Sequence, residues 1–170
     1  MKNSASRDLV IRRARPTDVA EIAAMSSAFR RARNEPPDFL NAEAVLRDGF
    51  GPHPEFEIFL AVANGEISGY ALFYNAYETA YAARGLYLSD LFVKDAARRR
   101  GIGRALVAAV TAESRRRSRT FVWWVALAEN GEAHAFYRSL RVNRADVIAY
   151  AATPFDAFES LGDEALAIDD

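Results

Sequence analysis

From Leu86 to Val110 the chain reads LYLSDLFVKDAARRRGIGRALVAAV, and this stretch restricts the fold more than any other. An apolar run from Leu86 to Val93 passes, with no helix-length interval, into Arg98-Arg99-Arg100-Gly101-Ile102-Gly103-Arg104. Apolar residues at Ile102, Leu106, Val107 and Val110 then recur with helical spacing. Strand, glycine-containing turn and helix follow one another. A helix that starts this way presents backbone N–H groups without intrahelical partners, and its dipole adds partial positive charge, so the turn suits a phosphate or pyrophosphate. Glycine lets the backbone come close to the anion. Arg98, Arg99, Arg100 and Arg104 put full positive charge around the same rim. The expected anion is a nucleotide-type cofactor.

Two familiar phosphate loops fail on spelling. A P-loop needs Gly-Lys followed by Ser or Thr, and the chain contains no Gly-Lys. A dinucleotide fingerprint needs a third glycine three residues after Gly103, where Leu106 stands instead.

The 170 residues, 51% hydrophobic and 26% charged, suit a single domain over 1–170 with its core at about 8–153. A formal net charge of −1 gives no general reason to bind nucleic acid. With no cysteine, disulfides, thiolate metal sites and a cysteine nucleophile are excluded. No His/Asp/Glu cluster has metal-ligand spacing, so no metal is expected. The chain shows no signal-peptide pattern and no apolar run approaching roughly twenty residues, so a soluble cytoplasmic protein with no membrane partner is expected.

Taken in order, Leu9-Val10-Ile11 begins a strand, and Thr17 is the expected N-cap of a helix through about Phe29. Pro36-Pro37 marks an exposed loop, a second helix is expected over about Asn41 to Arg47, and Gly49 to Pro54 reads as turn. Phe56–Ala63 and Ile67–Tyr77 flank Asn64-Gly65, a strong hairpin signal. After the Leu86 to Lys94 strand and the helix that follows it, Thr120 to Leu127 reads as a strand and Ala133 to Leu140 as a helix. Val147 to Ala152 is the last expected strand, followed by a short helix over Pro154 to Leu161 and a loose acidic tail over 163–170. The order β-α-α-β-β-β-α-β-α-β is α/β, with one mixed sheet flanked by helices.

This order, with Arg98-x-x-Gly101-x-Gly103 after the fourth strand, resembles the GCN5-related N-acetyltransferase family. Two further segments, Leu46 to Pro54 (LRDGFGPHP) and Tyr87 to Val93 (YLSDLFV), resemble the diamine (spermidine/spermine) and thialysine acetyltransferase subfamily. Asn130 and Tyr137, within NGEAHAFYRSL, are similar to the family's second cofactor motif. The resemblance implies acetyl-CoA as cosubstrate and a homodimer. It places Leu91, Phe92 and Val93 where the fourth strand bulges and splays from the fifth, so that their backbone groups bind the pantetheine arm and polarise the thioester carbonyl. Arg98 to Arg104, with Gly101, Ile102 and Gly103 between them, would hold the pyrophosphate. Asn130 would bind the pantetheine side, and Tyr137 would be the catalytic acid that protonates the departing thiolate.

Departures from the pattern bear on the acceptor. The subfamily carries Glu at the position of Ser89, where it serves amine binding or deprotonation, which serine cannot do as an anion. Asp90 is adjacent, but strict alternation along a strand points it to the opposite face. Arg141 follows Leu140 where the family tends to have Gly. Arg30, Arg31 and Arg33 place positive charge in the first loop, with only Glu35 close by, and this repels a polyamine. Ser89, Arg33, Trp123 and Trp124 are the candidate acceptor contacts. The expected activity is acetyl transfer to a small amine, amino-acid-like or acidic rather than a polyamine, by direct attack in a ternary complex. Acetylation of a protein or peptide, and a non-catalytic acyl-CoA-binding regulatory module, are the competing readings.

Overall fold

A computed structural model describes residues 9–149, 151 and 158–163. The chain divides into two compact units, Met1–Gly131 and Glu132–Asp170. Five strands form one sheet in the first unit: β1 (Leu9–Arg13), β2 (Glu57–Ala63), β3 (Glu66–Glu78), β4 (Ala83–Val93) and β5 (Phe121–Trp123). They lie in sequence order, antiparallel from β1 through β4 and parallel between β4 and β5. The β2–β3 turn is Asn64-Gly65, both with positive φ (52° and 82°), as a two-residue turn needs to match the twist of its strands.

Helices α1 (Val19–Ala32) and α2 (Ala42–Phe50) cover one face of the sheet. Ile22, Met25 and Val45 pack there against Ile58, Leu60, Tyr70, Leu72 and Phe92. The residues between these on β2 and β3, Phe59, Ala61, Ala71 and Phe73, are also buried and point to the opposite face, where α3 (Ile102–Arg116) packs with Leu106, Val107 and Val110. The Phe59 and Phe73 rings stand 5.0 Å apart in this second core.

The β3–β4 register fixes the functional end of the sheet. Leu88 pairs with Phe73 and Asp90 with Leu72, so Ser89 has no opposite residue and forms a β-bulge. Residues opposite each other in an antiparallel pair share a face. Leu88 therefore faces α3 with Phe73, whereas Asp90, two residues on, faces α1 with Leu72. The bulge reverses the alternation expected from the sequence, and Asp90 lies on the α1 face. Beyond Tyr87, β4 has no further pairing with β5, whose partners are Gly85, Leu86 and Tyr87 alone. The splay lies along Leu88 to Val93, and the bulge within it falls at Ser89, ahead of the expected Leu91–Val93.

Local boundaries differ for identifiable reasons. A 3-10 turn, Pro16–Asp18, precedes α1 and makes Asp18 the residue before the helix, so Thr17 is not its cap. The Asp18 carboxylate is engaged elsewhere, taking two bonds from Arg12 (2.7 and 2.9 Å) and one from the Arg15 amide (2.7 Å). Asn41 caps α2, its side chain accepting from the Ala44 amide at 3.0 Å, and the helix continues through Gly49 and Phe50. β5 ends at Trp123, four residues short of the expected Leu127.

In the second unit, α4 (Gly131–Ser139) carries Phe136 and Tyr137 with rings 5.1 Å apart, and α5 is Phe158–Asp163. Residues 142–149 carry no strand, which removes the described part of the expected strand from Val147 to Ala152. Residues 150 and 152 of that strand, 154–157 of the expected helix, 1–7 and the tail beyond Asp163 lie outside the described residues.

The end of α3 is tied to the sheet through Glu113, a buried carboxylate that accepts from Arg13 on β1 and from Arg116 and Arg117. Arg117 also reaches Glu57 on β2 at 2.6 Å. The Arg116 bond chiefly, reinforced by Arg117 and Arg13, outweighs burial and holds the Glu113 carboxyl at about 2. Because this folded value lies below the unfolded one, the stabilisation is complete above about pH 4.5 and drains away as the pH falls through about 2. We expect Glu113→Gln to cost about 2–3 kcal/mol in urea unfolding at neutral pH, with the difference from the parent shrinking as acid is added. A pH-independent difference would contradict the ion-pair account.

Candidate active site

The glycine-containing turn between β4 and α3 forms as the sequence predicts. After β4, a 3-10 turn over Asp95–Ala97 leads into Arg98, whose Nε donates to the Val93 carbonyl at 3.2 Å and whose guanidinium pairs with Asp95 at 2.9 Å. Arg99 and Gly101 both take left-handed backbone, at φ 61° and 81°. Gly101 precedes α3 without a side-chain cap, and the first backbone bond of the helix runs from the Ala105 amide to the Gly101 carbonyl at 3.0 Å. The amides of Ile102, Gly103 and Arg104 therefore sit at the open helix end. Among the described residues, no atom beyond its chain neighbours lies within 4 Å of the space a Cβ on Gly101 would take, which leaves that side of the turn open. Arg98, Arg99, Arg100 and Arg104 are exposed around it. Amides, dipole and guanidinium groups together fit a pyrophosphate.

Glycine also holds the end of β4 in place. A Cβ on Gly69 of β3 would lie 2.5 Å from the Phe92 carbonyl, so only glycine lets the strands approach there. Leu91, Phe92 and Val93 pair with Ala71, Tyr70 and Gly69 on that side. On the other side their backbone has no strand partner among the described residues, which leaves hydrogen-bonding groups for a ligand running beside the strand. The Phe92 ring is core, 5.9 Å from Phe29 and 6.1 Å from Tyr70.

A cavity of about 400 Å³ opens beside the bulge, lined by Arg30, Leu40, Glu55, Phe56, Leu72, Tyr74, Ser89 and Asp90. A second, of about 450 Å³, lies between α1 and the end of β4 and reaches Lys94 and Arg98. Both are in the first unit and share the face of α1. Tyr74, Tyr87 and Trp123 pair in register across β3, β4 and β5 and extend an aromatic row from the first cavity. The Tyr74 and Tyr87 rings are 5.1 Å apart. Burial first, then Tyr87 and Asp90 for Tyr74 and Asp90 alone for Tyr87, raise both phenols.

The cavity's charges are largely matched before any ligand enters. Asp90 is buried, and both of its oxygens accept from Arg30 Nη2 at 2.9 Å. Tyr70 OH donates to the same carboxylate at 2.9 Å. Burial works against the Arg30 charge, but Asp90 and Glu35 outweigh it and its pKa ends raised. Burial and the Asp90 charge hold the Tyr70 phenol well above its ordinary value, so it serves as a donor. Glu35 accepts from Arg30 at 2.9 Å and from Arg33 at 2.7 Å, which outweighs its own burial and lowers its pKa.

The expected acceptor residues separate accordingly. Ser89 lines the first cavity. Arg33 does not: its guanidinium pairs with Glu35 and lies over the Phe29 ring at 5.1 Å, while Arg30 is the arginine that reaches the cavity. Trp123 is exposed on β5, Trp124 lies just past the strand, and neither lines the two cavities. Asn130 precedes α4, its amide donating to the Leu127 carbonyl at 3.0 Å. Tyr137 is half-buried on α4, in the second unit. Sequence reasoning discounted Asp90, because a bulge cannot be read from period-two alternation. It missed Glu55 and Phe56, although Glu55 stands directly after the Pro52-His53-Pro54 turn, where a side chain is free to face a cleft.

Residues 20–140 match the model of the acetyltransferase (GNAT) family. Over 99 residues the chain is 34% identical to an uncharacterized N-acetyltransferase, YhfO, of Bacillus subtilis (strain 168), covering 58% of this chain and 66% of that protein. Over 76 residues it is 37% identical to thialysine N-epsilon-acetyltransferase of Sus scrofa, covering 40% of this chain and 44% of that protein. The matches thus span less than two thirds of either relative. In structure, the chain is similar to an aminoglycoside acetyltransferase from an uncultured soil metagenomic sample, with TM-score 0.72, 21% identity, and coverage of 88% of this chain and 99% of that one. The strand order, the Arg/Gly turn that opens α3 and a family match over most of the chain lead to one assignment: this chain belongs to the GNAT acetyltransferase family.

Proposed function

We propose that the chain is an acetyl-CoA-dependent N-acetyltransferase acting on a small, amino-acid-like amine. The observation that carries this reading is the unpaired edge of β4, which runs from the Ser89 bulge and its cavity toward the Arg98–Arg104 turn. Acetyl-CoA, the cosubstrate of the family, supplies the activated acetyl group. The turn binds its pyrophosphate through the α3 amides and the arginines. The backbone of Leu91 to Val93, on the side away from β3, orients the pantetheine arm and polarises the acetyl carbonyl. The cavity at Ser89 receives the amine, so attack is direct, with positioning as the main source of rate. An alkyl ammonium carries no lone pair and must lose a proton before it attacks. Tyr137 protonates the leaving thiolate.

The acceptor class rests on two supports. A relative that matches the chain is named for thialysine, an amino acid with a side-chain amine. The cavity's own charge is the second: Arg30 and Asp90 cancel, leaving Glu55, so the lining favours an ammonium. The repulsion of polyamines expected from Arg30, Arg31 and Arg33 is largely cancelled at Arg30 and Arg33, which are paired with acids. An amino acid with a side-chain ammonium, one net positive charge, suits this cavity better than an acidic amine.

Thiol release from acetyl-CoA, monitored against diamino acids, acidic amines and polyamines, tests the reading. The expected result is turnover with the highest kcat/KM for a diamino acid, and no thiol release with any amine would overturn the enzyme assignment. Tyr137→Phe should lower kcat by about 10²-fold while acetyl-CoA affinity changes little. Gly101→Val, forced into left-handed backbone, should weaken acetyl-CoA binding about tenfold, as measured by calorimetry.

A further inference from the structure

Glu55 sits in the loop between α2 and β2, fixed by its amide, which donates to the Asp48 carbonyl at 2.8 Å. Glu55 is among the residues that line the cavity, together with Ser89 and Asp90. Two carboxylates reach this cavity, and they differ in what already occupies them. Asp90 is buried and committed to Arg30 and Tyr70. Its lone pairs are directed at a guanidinium and a phenol, so an incoming ammonium would have to displace a charge-assisted pair. Glu55 is exposed, and no described residue forms a hydrogen bond or ion pair with its carboxylate. It meets an ammonium with little desolvation and without breaking an internal contact.

Ser89, at the bulge, is neutral and exposed in the same cavity. Leu40, Phe56, Leu72 and Tyr74 give the remaining wall its apolar and aromatic character, which suits the methylene stem of an alkyl ammonium. We propose that Glu55 is the residue that receives the acceptor's ammonium and sets a preference for cationic acceptors, from a different element than the strand that carries Ser89. The proposal rests on the cavity being the acceptor site of an N-acetyltransferase. Glu55 acts here as a specificity residue: it binds the charged amine, and the proton's later acceptor is a separate matter.

The test uses the full chain and has two arms. In the first, calorimetry with L-ornithine in the presence of CoA compares the parent with Glu55→Gln, Glu55→Asp and Glu55→Lys. Glu55→Gln should weaken L-ornithine binding by about tenfold or more, the loss of one charge-assisted contact. Glu55→Asp should keep part of the affinity and Glu55→Lys almost none, while CoA affinity stays within about twofold for all three. Added salt should weaken binding to the parent but scarcely affect Glu55→Gln. Equal affinity of parent and Glu55→Gln, or no binding of L-ornithine to the parent, overturns the proposal. In the second arm, Glu55→Gln should raise KM for cationic amines with kcat nearly unchanged. Binding that depends on Glu55 in a chain without turnover would sink the enzyme assignment and leave the ammonium contact standing. Turnover indifferent to Glu55 would do the reverse.

Discussion

The β-bulge at Ser89 is the constraint on which the rest of the candidate site depends. One extra residue on β4 turns Asp90 from the α3 face to the α1 face, where Arg30 and Tyr70 hold it. Without the shift, a carboxylate would be directed into the apolar core formed by Phe59, Phe73 and Leu88, at the cost of an unpaired buried charge. With it, the carboxylate joins α1 to β4, the strand that leads into the Arg/Gly turn. The bulge also leaves Ser89 without a cross-strand partner and open to the cavity. Beyond it β4 parts from β5, so one local irregularity lies beside both the cavity at Ser89 and a stretch of β4 backbone that has no second strand partner among the described residues.

The electrostatics follow from that placement. Arg30 bridges Asp90 and Glu35, and Glu35 in turn holds Arg33, so four charged groups from α1, the loop after it and β4 form one balanced network. Such a network rigidifies the site more than it attracts a ligand, because its charges face one another. The charge that faces the cavity is then Glu55. Around the Arg/Gly turn the arginines are exposed at the start of α3, where the helix dipole adds to their positive charge.

The sequence made much of this legible where local chemistry decides structure. Asn64-Gly65 announced its hairpin, and the run from Leu86 to Val110 announced strand, turn and helix, because glycine and apolar periodicity act over a few residues. The face of Asp90 was not legible, since the register of β3 against β4 decides it and that is a property of two strands. Arg30 and Arg33 read as free positive charge because their neutralising partners include Asp90, sixty residues away, as well as the neighbouring Glu35. β5 proved shorter than TFVWWVAL suggested: aromatic and β-branched residues favour extended backbone, but a strand also needs a neighbour, and β4 supplies one only as far as Tyr87. Val147, Ile148 and Ala149 show the same limit, as apolar residues that form no strand.

The charge of the cavity depends on whether Arg30 and Asp90 act as one unit on the α1 face. A double-mutant cycle with Arg30→Met, Asp90→Asn and the pair, read by urea unfolding, measures that coupling directly. It should give an interaction of about 2 kcal/mol or more, with the double variant recovering much of the stability lost in either single change. A coupling below about 0.5 kcal/mol would mean that the two groups do not hold each other, that Asp90 is available to a ligand, and that the charge assignment of the cavity is wrong.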